Sequence, residues 1–444
     1  MKLNYKRTIL VGFAFFLISA FWQAYDTVVP LILHNKFEMK ELYSGFIMSL
    51  DNIFAVVMLP IFGTLSDKVS CKYGRRTPFI LFGTIAAASL FVILGFINTL
   101  TLFVVILLFT LVSMATFRSP AVALMPDVTI KPLRSKANAI INLMGTAGGI
   151  IVLGLGMAFN TDVPGKTDFG VYIIAISALM IVALIVFLLT VKEPLWAKEM
   201  ELDTVKYCVE EEKPSTEEKR KLTRGELRSL ILILASVVLW YVGYNAVTSK
   251  YSVYASTVLE VSYAITLTVA QVAAIIAYIP VGIIASKIGR KKTILAGIIM
   301  LTVAFGSAAF IKAGTPSIVM CLLFCLAGIG WATINVNSFP MVVELAKAGD
   351  VGKYTGFYYT ASMSAQIITP ILSGAFVDAW GWWVFFPYAT VFVGLAFVTM
   401  FFVRHGDAKV EGKKDILENL DIRTQRIRRH QLEEKAHQRN KACQ

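Results

Sequence analysis

One short segment is written twice in this chain, and each time it joins two long apolar runs. Gly63-Thr-Leu-Ser-Asp67-Lys68 leads on to Gly74-Arg75-Arg76; 219 residues later Gly282-Ile-Ile-Ala-Ser286-Lys287 leads on to Gly289-Arg290-Lys291. A second pair echoes the first: Asp127 and Lys136, nine apart, return as Glu344 and Lys353. A repeat of about half the chain, set among apolar segments, implies a membrane transporter built from two similar halves. With 57% hydrophobic and only 16% charged residues in 444, a soluble enzyme with an ordinary core is excluded.

A helix needs about 20 apolar residues to cross a bilayer. Twelve such runs are present, at about 8–33, 42–65, 77–98, 101–126, 136–159, 169–191, 229–250, 261–284, 293–312, 316–343, 354–377 and 382–403. The predicted fold is an all-α membrane protein with twelve transmembrane helices in two six-helix pseudo-symmetric bundles. The predicted divisions are an N-terminal bundle 1–191, a linker 192–228, a C-terminal bundle 229–403 and a basic tail 404–444. The first apolar run is too long for a signal peptide and lacks a small-residue cleavage site.

Lys and Arg set the orientation. Sixteen lie in the N-terminal segment and the short loops on its side, against four (Lys36, Lys40, Lys166, Lys312) on the other. That bias predicts both termini in the cytoplasm, and a plasma-membrane protein in contact with lipid. The net charge of +13 follows from this bias and the basic tail, so nucleic-acid binding is not inferred. No cysteine falls in an outside loop, so free thiols are expected. Cys321 and Cys325, at i and i+4 inside a helix, read as small buried hydrophobes rather than a metal pair. No metal or cofactor is called for.

The linker holds nine basic and ten acidic side chains, which predicts a solvated, partly helical segment. From Arg404 on there are eleven basic and seven acidic residues, with Ile416, Leu417, Leu420 and Ile427 roughly on one helical face. This tail suits either anionic lipid at the inner surface or plain solvation.

In the repeated loop, Gly63 and Gly282 let neighbouring backbones approach closely. Asp67 can accept from a helix N-terminus or from Arg75 and Arg76, and such charge-assisted bonds hold a closed gate. Two copies at matched positions favour a gating role over mere topology anchoring. The gating set is Gly63, Asp67, Arg75, Arg76 and Asp127 in the first half, and Gly282, Gly289, Arg290 and Glu344 in the second.

Twelve spans, two halves and this loop resemble the major facilitator superfamily over residues 8–403. Gly63-Thr-Leu-Ser-Asp-Lys with Tyr73-Gly-Arg-Arg-Thr-Pro-Phe-Ile-Leu81, and Arg118-Ser-Pro-Ala-Val-Ala-Leu-Met-Pro-Asp127, are similar to the sucrose-transporter-like branch. The second stretch also resembles the glycoside–pentoside–hexuronide:cation symporters. The resemblance implies proton- or cation-coupled uptake of a sugar. Melibiose-type symporters carry paired carboxylates around the positions of Ala55 and Leu59 here, and Asp51 lies a turn earlier. Sodium is therefore the second choice of coupling ion, after the proton.

Three ionisable residues fall well inside the spans: Asp26, Asp51 and Arg118; Lys250 ends the seventh. Charges at such depth are costly and face a polar cavity. Asp26 lies roughly 10 Å, and Asp51 roughly 13 Å, below the outer ends of adjacent helices. Two carboxylates in one low-dielectric site cannot both ionise cheaply, so either is a candidate proton carrier, Asp51 preferred. Arg118 supplies a counter-charge, bonds sugar hydroxyls, or forms a structural ion pair with Asp51. All four histidines lie outside the spans.

A sugar site needs amides for hydroxyls and aromatic faces for the apolar side of the ring. Trp22, Gln23, Tyr244, Asn245, Gln271, Trp331, Asn335, Tyr358 and Gln366 are the candidates. Carrying the repeat offset across, Asp26 falls on or beside Asn245, Asp51 on or beside Gln271, and Arg118 on Asn335. Charge in the first half is answered by neutral amides in the second. No phosphate-binding Gly-rich loop and no nucleophile–base pair is present, which argues against ATP hydrolysis and against an enzyme. The function expected is proton-coupled import of a di- or oligosaccharide by alternating access. A proton-coupled efflux antiporter for drugs or metabolites is the first alternative, and a membrane sensor without transport the second.

Overall fold

The computed structural model describes residues 3–405 apart from 70, 131–132, 207–222, 344 and 346–350. In lipid every backbone polar group must find a partner within its own segment, and an apolar run of this length can meet that demand only as a helix. The first half holds α1 (Tyr5–Leu31), α2 (Glu41–Lys68), α3 (Thr77–Phe96), α4 (Leu100–Asp127), α5 (Arg134–Ala158) and α6 (Gly170–Thr190). After a short α7 (Glu193–Lys206), the second half holds α8 (Arg224–Tyr254), α9 (Tyr263–Ile288), α10 (Arg290–Ala308), α11 (Ser317–Val343), α12 (Val351–Trp380) and α13 (Phe385–Phe401). Eleven of these are long and apolar enough to span a bilayer. The 26-residue α9, with its apolar stretch Tyr263–Tyr278, takes the twelfth place.

The repeat is visible in the packing. In the first half α1 lies against α5 and α6, α2 against α4, and α3 against α4 and α6. The second half repeats this: α8 against α12 and α13, α9 against α11, α10 against α11 and α13. Even a detail is doubled, since α1 and α8 both end in one turn of π-helix, Ile32–Lys36 and Ala255–Leu259. Between the halves α2 meets α12, its symmetry mate α9 meets α5, and α1 meets α8.

Two boundaries differ from the sequence reading. The seventh span starts earlier, at Arg224, because Thr223 and Glu226 form a capping box: the Thr223 amide donates to Glu226 Oε2 at 2.8 Å and the Glu226 amide to Thr223 Oγ1 at 3.3 Å. The start of the linker forms the helix α7, largely exposed as expected, but two of its residues, Glu193 and Trp196, are buried. Glu193 is 3% exposed and its carboxylate accepts from the amides of Arg75 (2.7 Å), Arg76 (2.9 Å) and Thr77 (2.8 Å), and from the Thr77 hydroxyl (2.7 Å). It thus caps α3 from a distant part of the chain, at the end where the dipole favours an anion. Arg7 pairs with Glu199 and lies 5.2 Å over the buried Trp196 ring, tying α7 to α1.

In the second copy of the loop the polarity reverses. Lys291 Nζ donates to the carbonyls of Phe401 (2.8 Å) and Val403 (2.6 Å) at the end of α13. The middle of the linker, 207–222, and the tail beyond His405 lie outside the described residues.

Gly74 is required twice over. Its φ is +113°, and an added Cβ would stand 2.3 Å from the Glu193 carboxylate. Gly74→Ala should cost about 1–3 kcal/mol, read as a lowered Tm of the detergent-purified protein. Glu193→Gln, which keeps the shape and loses the charge, should cost less; an unchanged Tm in both would show that the cap is unimportant.

Candidate substrate and coupling site

Helices α1, α5, α8, α9 and α11 enclose a central cavity of about 370 Å³. One side is aromatic: Tyr244 and Trp331 stack face to face, ring centroids 3.7 Å apart and 4° from parallel, with Tyr241 edge-on to Trp331 at 5.3 Å. Amides line the same cavity. Gln271 Nε2 donates to Gln23 Oε1 at 2.5 Å, joining the halves through the middle. Asn142 and Tyr278 also line the cavity, and the Tyr278 hydroxyl hydrogen-bonds Asn335. Leu267, Ile275, Phe305 and Phe324 make an apolar wall, and no Lys or Arg is among the lining residues.

A second cavity of about 90 Å³ adjoins the first and shares Asp26 and Thr248 with it. Its other walls are Met48, Asp51 and Asn52 from α2, Asn245 and Ser249 from α8, and Gln366 and Pro370 from α12. Asp51 Oδ1 accepts from the amide and side chain of Asn52 at 2.6 and 2.7 Å. The Arg118 guanidinium lies 5.2 Å over the Trp22 ring, within electrostatic reach of both carboxylates. It makes no ion pair within 4 Å among the described residues, so a tight Asp51–Arg118 pair is absent from this conformation. Three buried polar atoms nearby, Trp22 Nε1, the Tyr25 hydroxyl and Asn245 Nδ2, have no protein partner.

The cavities are sealed at the end opposite the basic loops. Glu41, 4% exposed, receives Lys250 Nζ on Oε2 at 2.7 Å and on its carbonyl at 3.0 Å, and His34 Nδ1 lies 2.8 Å from Oε1. Asp378 of α12 caps the first turn of α2, accepting from the Glu41 and Leu42 amides at 2.9 and 2.8 Å. The backbones touch here: a Cβ on Gly45 would be 1.9 Å from the Pro370 carbonyl, and one on Gly374 2.2 Å from that of Glu41. Thr161 and Tyr263 join hydroxyls at 2.5 Å beside the same end. Toward the basic loops, a Cβ on Gly282 or Gly356 would meet nothing within 4 Å.

The first copy of the loop is a closed ion cluster within its own half. Arg76 binds Asp127 at 2.7 Å, Asp67 at 2.5 Å and the Ser66 hydroxyl, with Gly63 O at 3.5 Å; Arg75 stands 3.8 Å from Asp127. Burial opposes the charge on Arg76, but the bonds to Asp127 and then Asp67 leave its pKa above the ordinary value.

Of the residues picked from sequence, Gln23, Asp26, Tyr244, Gln271 and Trp331 line the large cavity, and Asp51, Asn245 and Gln366 the small one. Trp22 stands beside Arg118, and Asn335 reaches the site through Tyr278. Tyr358 lies apart from both cavities, its hydroxyl 2.9 Å from that of Ser338. Gly63 has the tight neighbour expected of it, Ser119 at 2.9 Å from an added Cβ; Gly282 faces open space. Gly289 and Arg290 begin α10, and Glu344 lies outside the described residues. The sequence reading passed over Glu41, His34, Asp378 and Glu193. Each sits at the end of a helix, where a charge ordinarily meets water; only Lys250, too deep for its charge, hinted at a buried partner.

The sequence profile of the Major Facilitator Superfamily matches this chain over residues 11–271 and again over 254–432. The chain belongs to that family, and is a multi-pass membrane transporter rather than an enzyme. Sucrose transport protein SUC3 of Arabidopsis thaliana is 32% identical over 136 residues, 26% of this chain and 23% of that protein's length. Among solved structures, a peptide transporter POT in complex with sulfate is similar at TM-score 0.67 and 14% identity, covering 90% of this chain and 93% of its own. The nucleoside transporter NupG gives 0.62 and 14%, covering 90% and 98%. The xylose transporter XylE from E. coli, in an inward open conformation, gives 0.63 and 15%, covering 92% and 98%. These likenesses establish the fold.

Lys250→Met leaves the Glu41 charge buried with only His34 beside it, and removing one partner of such a pair costs about 3–5 kcal/mol. A cysteine at Thr248 should then react several-fold faster with an impermeant maleimide applied from the sealed end. Adding Glu41→Gln should restore most of the protection.

Proposed function

We propose that this transporter imports a sugar, a di- or oligosaccharide, together with a proton by alternating access. The observation that carries the reading is the pairing of a flat aromatic face, Tyr244 on Trp331, with the Gln23–Gln271 amides in one cavity. Amides satisfy hydroxyls, and an aromatic face takes the apolar side of a pyranose. At about 370 Å³ the cavity falls within the roughly 300–1,000 Å³ of small-molecule sites. Lining without Lys or Arg favours a neutral cargo over an anionic one. The local likeness to a sucrose transport protein points the same way. Asp26 and Asp51, with Arg118 behind them, carry the proton in this reading.

Residues 1–191 and 224–403 are the two moving bodies, 192–223 the linker and 404–444 the tail, with both termini cytoplasmic in the plasma membrane. The conformation is then inward-facing, because the seal of Glu41, Lys250 and Asp378 lies at the outer end. The cluster of Asp67, Arg76 and Asp127 holds the first half's loop in the shape that meets the second half when the inner side closes. The apolar wall of Phe305 and Phe324 favours a second reading, efflux of an amphipathic compound in exchange for protons.

Proteoliposomes with an imposed pH gradient separate these. Sucrose, maltose or melibiose should accumulate and draw protons in. Transport of a hydrophobic cation with no sugar uptake would instead establish the efflux reading. Asp51→Asn should abolish accumulation while sugar exchange survives, and Trp331→Ala should raise the KM of exchange about ten-fold, as loss of a stacking face worth about 1.4 kcal/mol.

A further inference from the structure

The two cavities differ in kind, and one carboxylate belongs to both. The smaller chamber, at about 90 Å³, is about a quarter the size of the larger at about 370 Å³, and no aromatic ring is among its lining residues. Asp26 and Thr248 face both chambers; Asp51, Asn245, Ser249 and Gln366 face only the smaller. We propose that this smaller chamber is the seat of the coupling proton, and that Asn245, Ser249 and Gln366 serve coupling rather than sugar recognition. The inference rests on the symport reading above, and gives two second-half amides a role opposite to the one their residue types suggest.

Three observations support it. Asn245 Nδ2 is buried and unpartnered in the chamber wall, and the hydroxyl of Tyr25, 0% exposed, is unpartnered within electrostatic reach of both carboxylates. Buried donors without acceptors are costly, and a carboxylate at the same chamber is the acceptor that relieves them. Next, the chamber is built on the helices that make the far-end seal. Asp51 is roughly 15 Å along α2 from Glu41, Asn245 lies five residues before Lys250, and Gln366 four before Pro370, whose carbonyl Gly45 abuts. The state of the chamber is therefore felt where α2 meets α8 and α12.

The charge balance completes the argument. The charged groups facing the chamber are Asp26 from α1 and Asp51 from α2, with Arg118 from α4 in reach of both. The wall from α8 and α12 contributes amides and hydroxyls and no cation. Two carboxylates and one guanidinium sum to minus one, and a single proton brings the cluster to neutrality. A neutral cluster is the one that closes at low cost in a poorly polarisable interior. One proton per cycle follows. The Asn245 amide registers its arrival, turning from donor toward a carboxylate to acceptor of a carboxyl O–H, while Gln366 Nε2 and Ser249 Oγ donate to the Ser362 and Ala246 carbonyls of their own helices, both at 3.3 Å.

The test uses the full-length chain in proteoliposomes, with Asn245→Leu and Gln366→Leu. Sugar counterflow without a gradient should keep its KM within about two-fold. Accumulation driven by a pH gradient should fall at least ten-fold, and the pH of half-maximal counterflow should move by about one unit. A KM raised ten-fold with an unmoved pH profile assigns both residues to the sugar and overturns the proposal. So does uptake that stops when sodium is replaced by choline.

A carrier that moves no sugar would sink the symport reading, so a second measurement needs no cargo. Infrared titration of the buried carboxyl band, assigned with Asp26→Asn and Asp51→Asn, should show its midpoint displaced in both leucine variants. A midpoint unmoved in both overturns the chamber assignment whatever the cargo.

Discussion

Everything at the sealed end is arranged around one buried carboxylate. Glu41 is bound by Lys250, approached by His34 and held by its own amide to Asp378, so both halves contribute to keeping it. A charge so buried cannot be left unpaired; its cation, Lys250, sits on the first helix of the other half, and Asp378, which binds its backbone amide, sits on the fifth. The interface is therefore fixed in register as well as in contact, and the glycines at 45 and 374 bring the backbones into direct touch. Separating the halves at this end means exposing Glu41 and Lys250 to water together. That is the transition an alternating-access carrier must make reversible. An ion pair suits it because it is strong when dry and weak when wet.

The architecture was legible in the sequence because the bilayer leaves so few options. A run of some 20 apolar residues must be a helix, and the twice-written loop gives the division into halves. Helix ends were less legible. The early start of α8 depended on the reciprocal bonds of Thr223 and Glu226, which lie just ahead of the seventh apolar run. The docking of the start of α7 depended on Glu193 reaching amides more than a hundred residues away. Such pairings cannot be read from hydropathy, since the residues concerned are polar and stand where water is the default partner.

The site divides in the same way. Depth along a helix pointed to Asp26, Asp51 and Arg118, and residue type pointed to Gln23, Gln271, Tyr244 and Trp331; all are at or beside the cavities. Residue type alone cannot say which cavity a side chain faces, because that depends on the rotation of each helix and the angle between halves. Tyr358 carried the right chemistry and points into a Ser338 hydrogen bond instead. The repeat offset set Asn245 opposite Asp26, and the two share the smaller cavity, but Asp51 and Gln271, also set opposite each other, line different cavities.

The unequal sharing of charge between the two bundles has an electrical consequence. Lys250 and Glu41 cancel one another, so the uncancelled charges deep in the spans, Asp26, Asp51 and Arg118, all ride on the first bundle. A voltage across the membrane exerts about 2.3 kcal/mol per elementary charge per 100 mV on a charge carried fully across. Here that force acts mainly on the first bundle, since Lys250 of the second is paired with Glu41 across the interface. A cell at rest would thus pull on the cluster when it bears its net negative charge and release it once neutral. On the proposed symport reading, the return of the empty carrier, and not the inward step with its cargo, becomes the stage on which membrane potential acts.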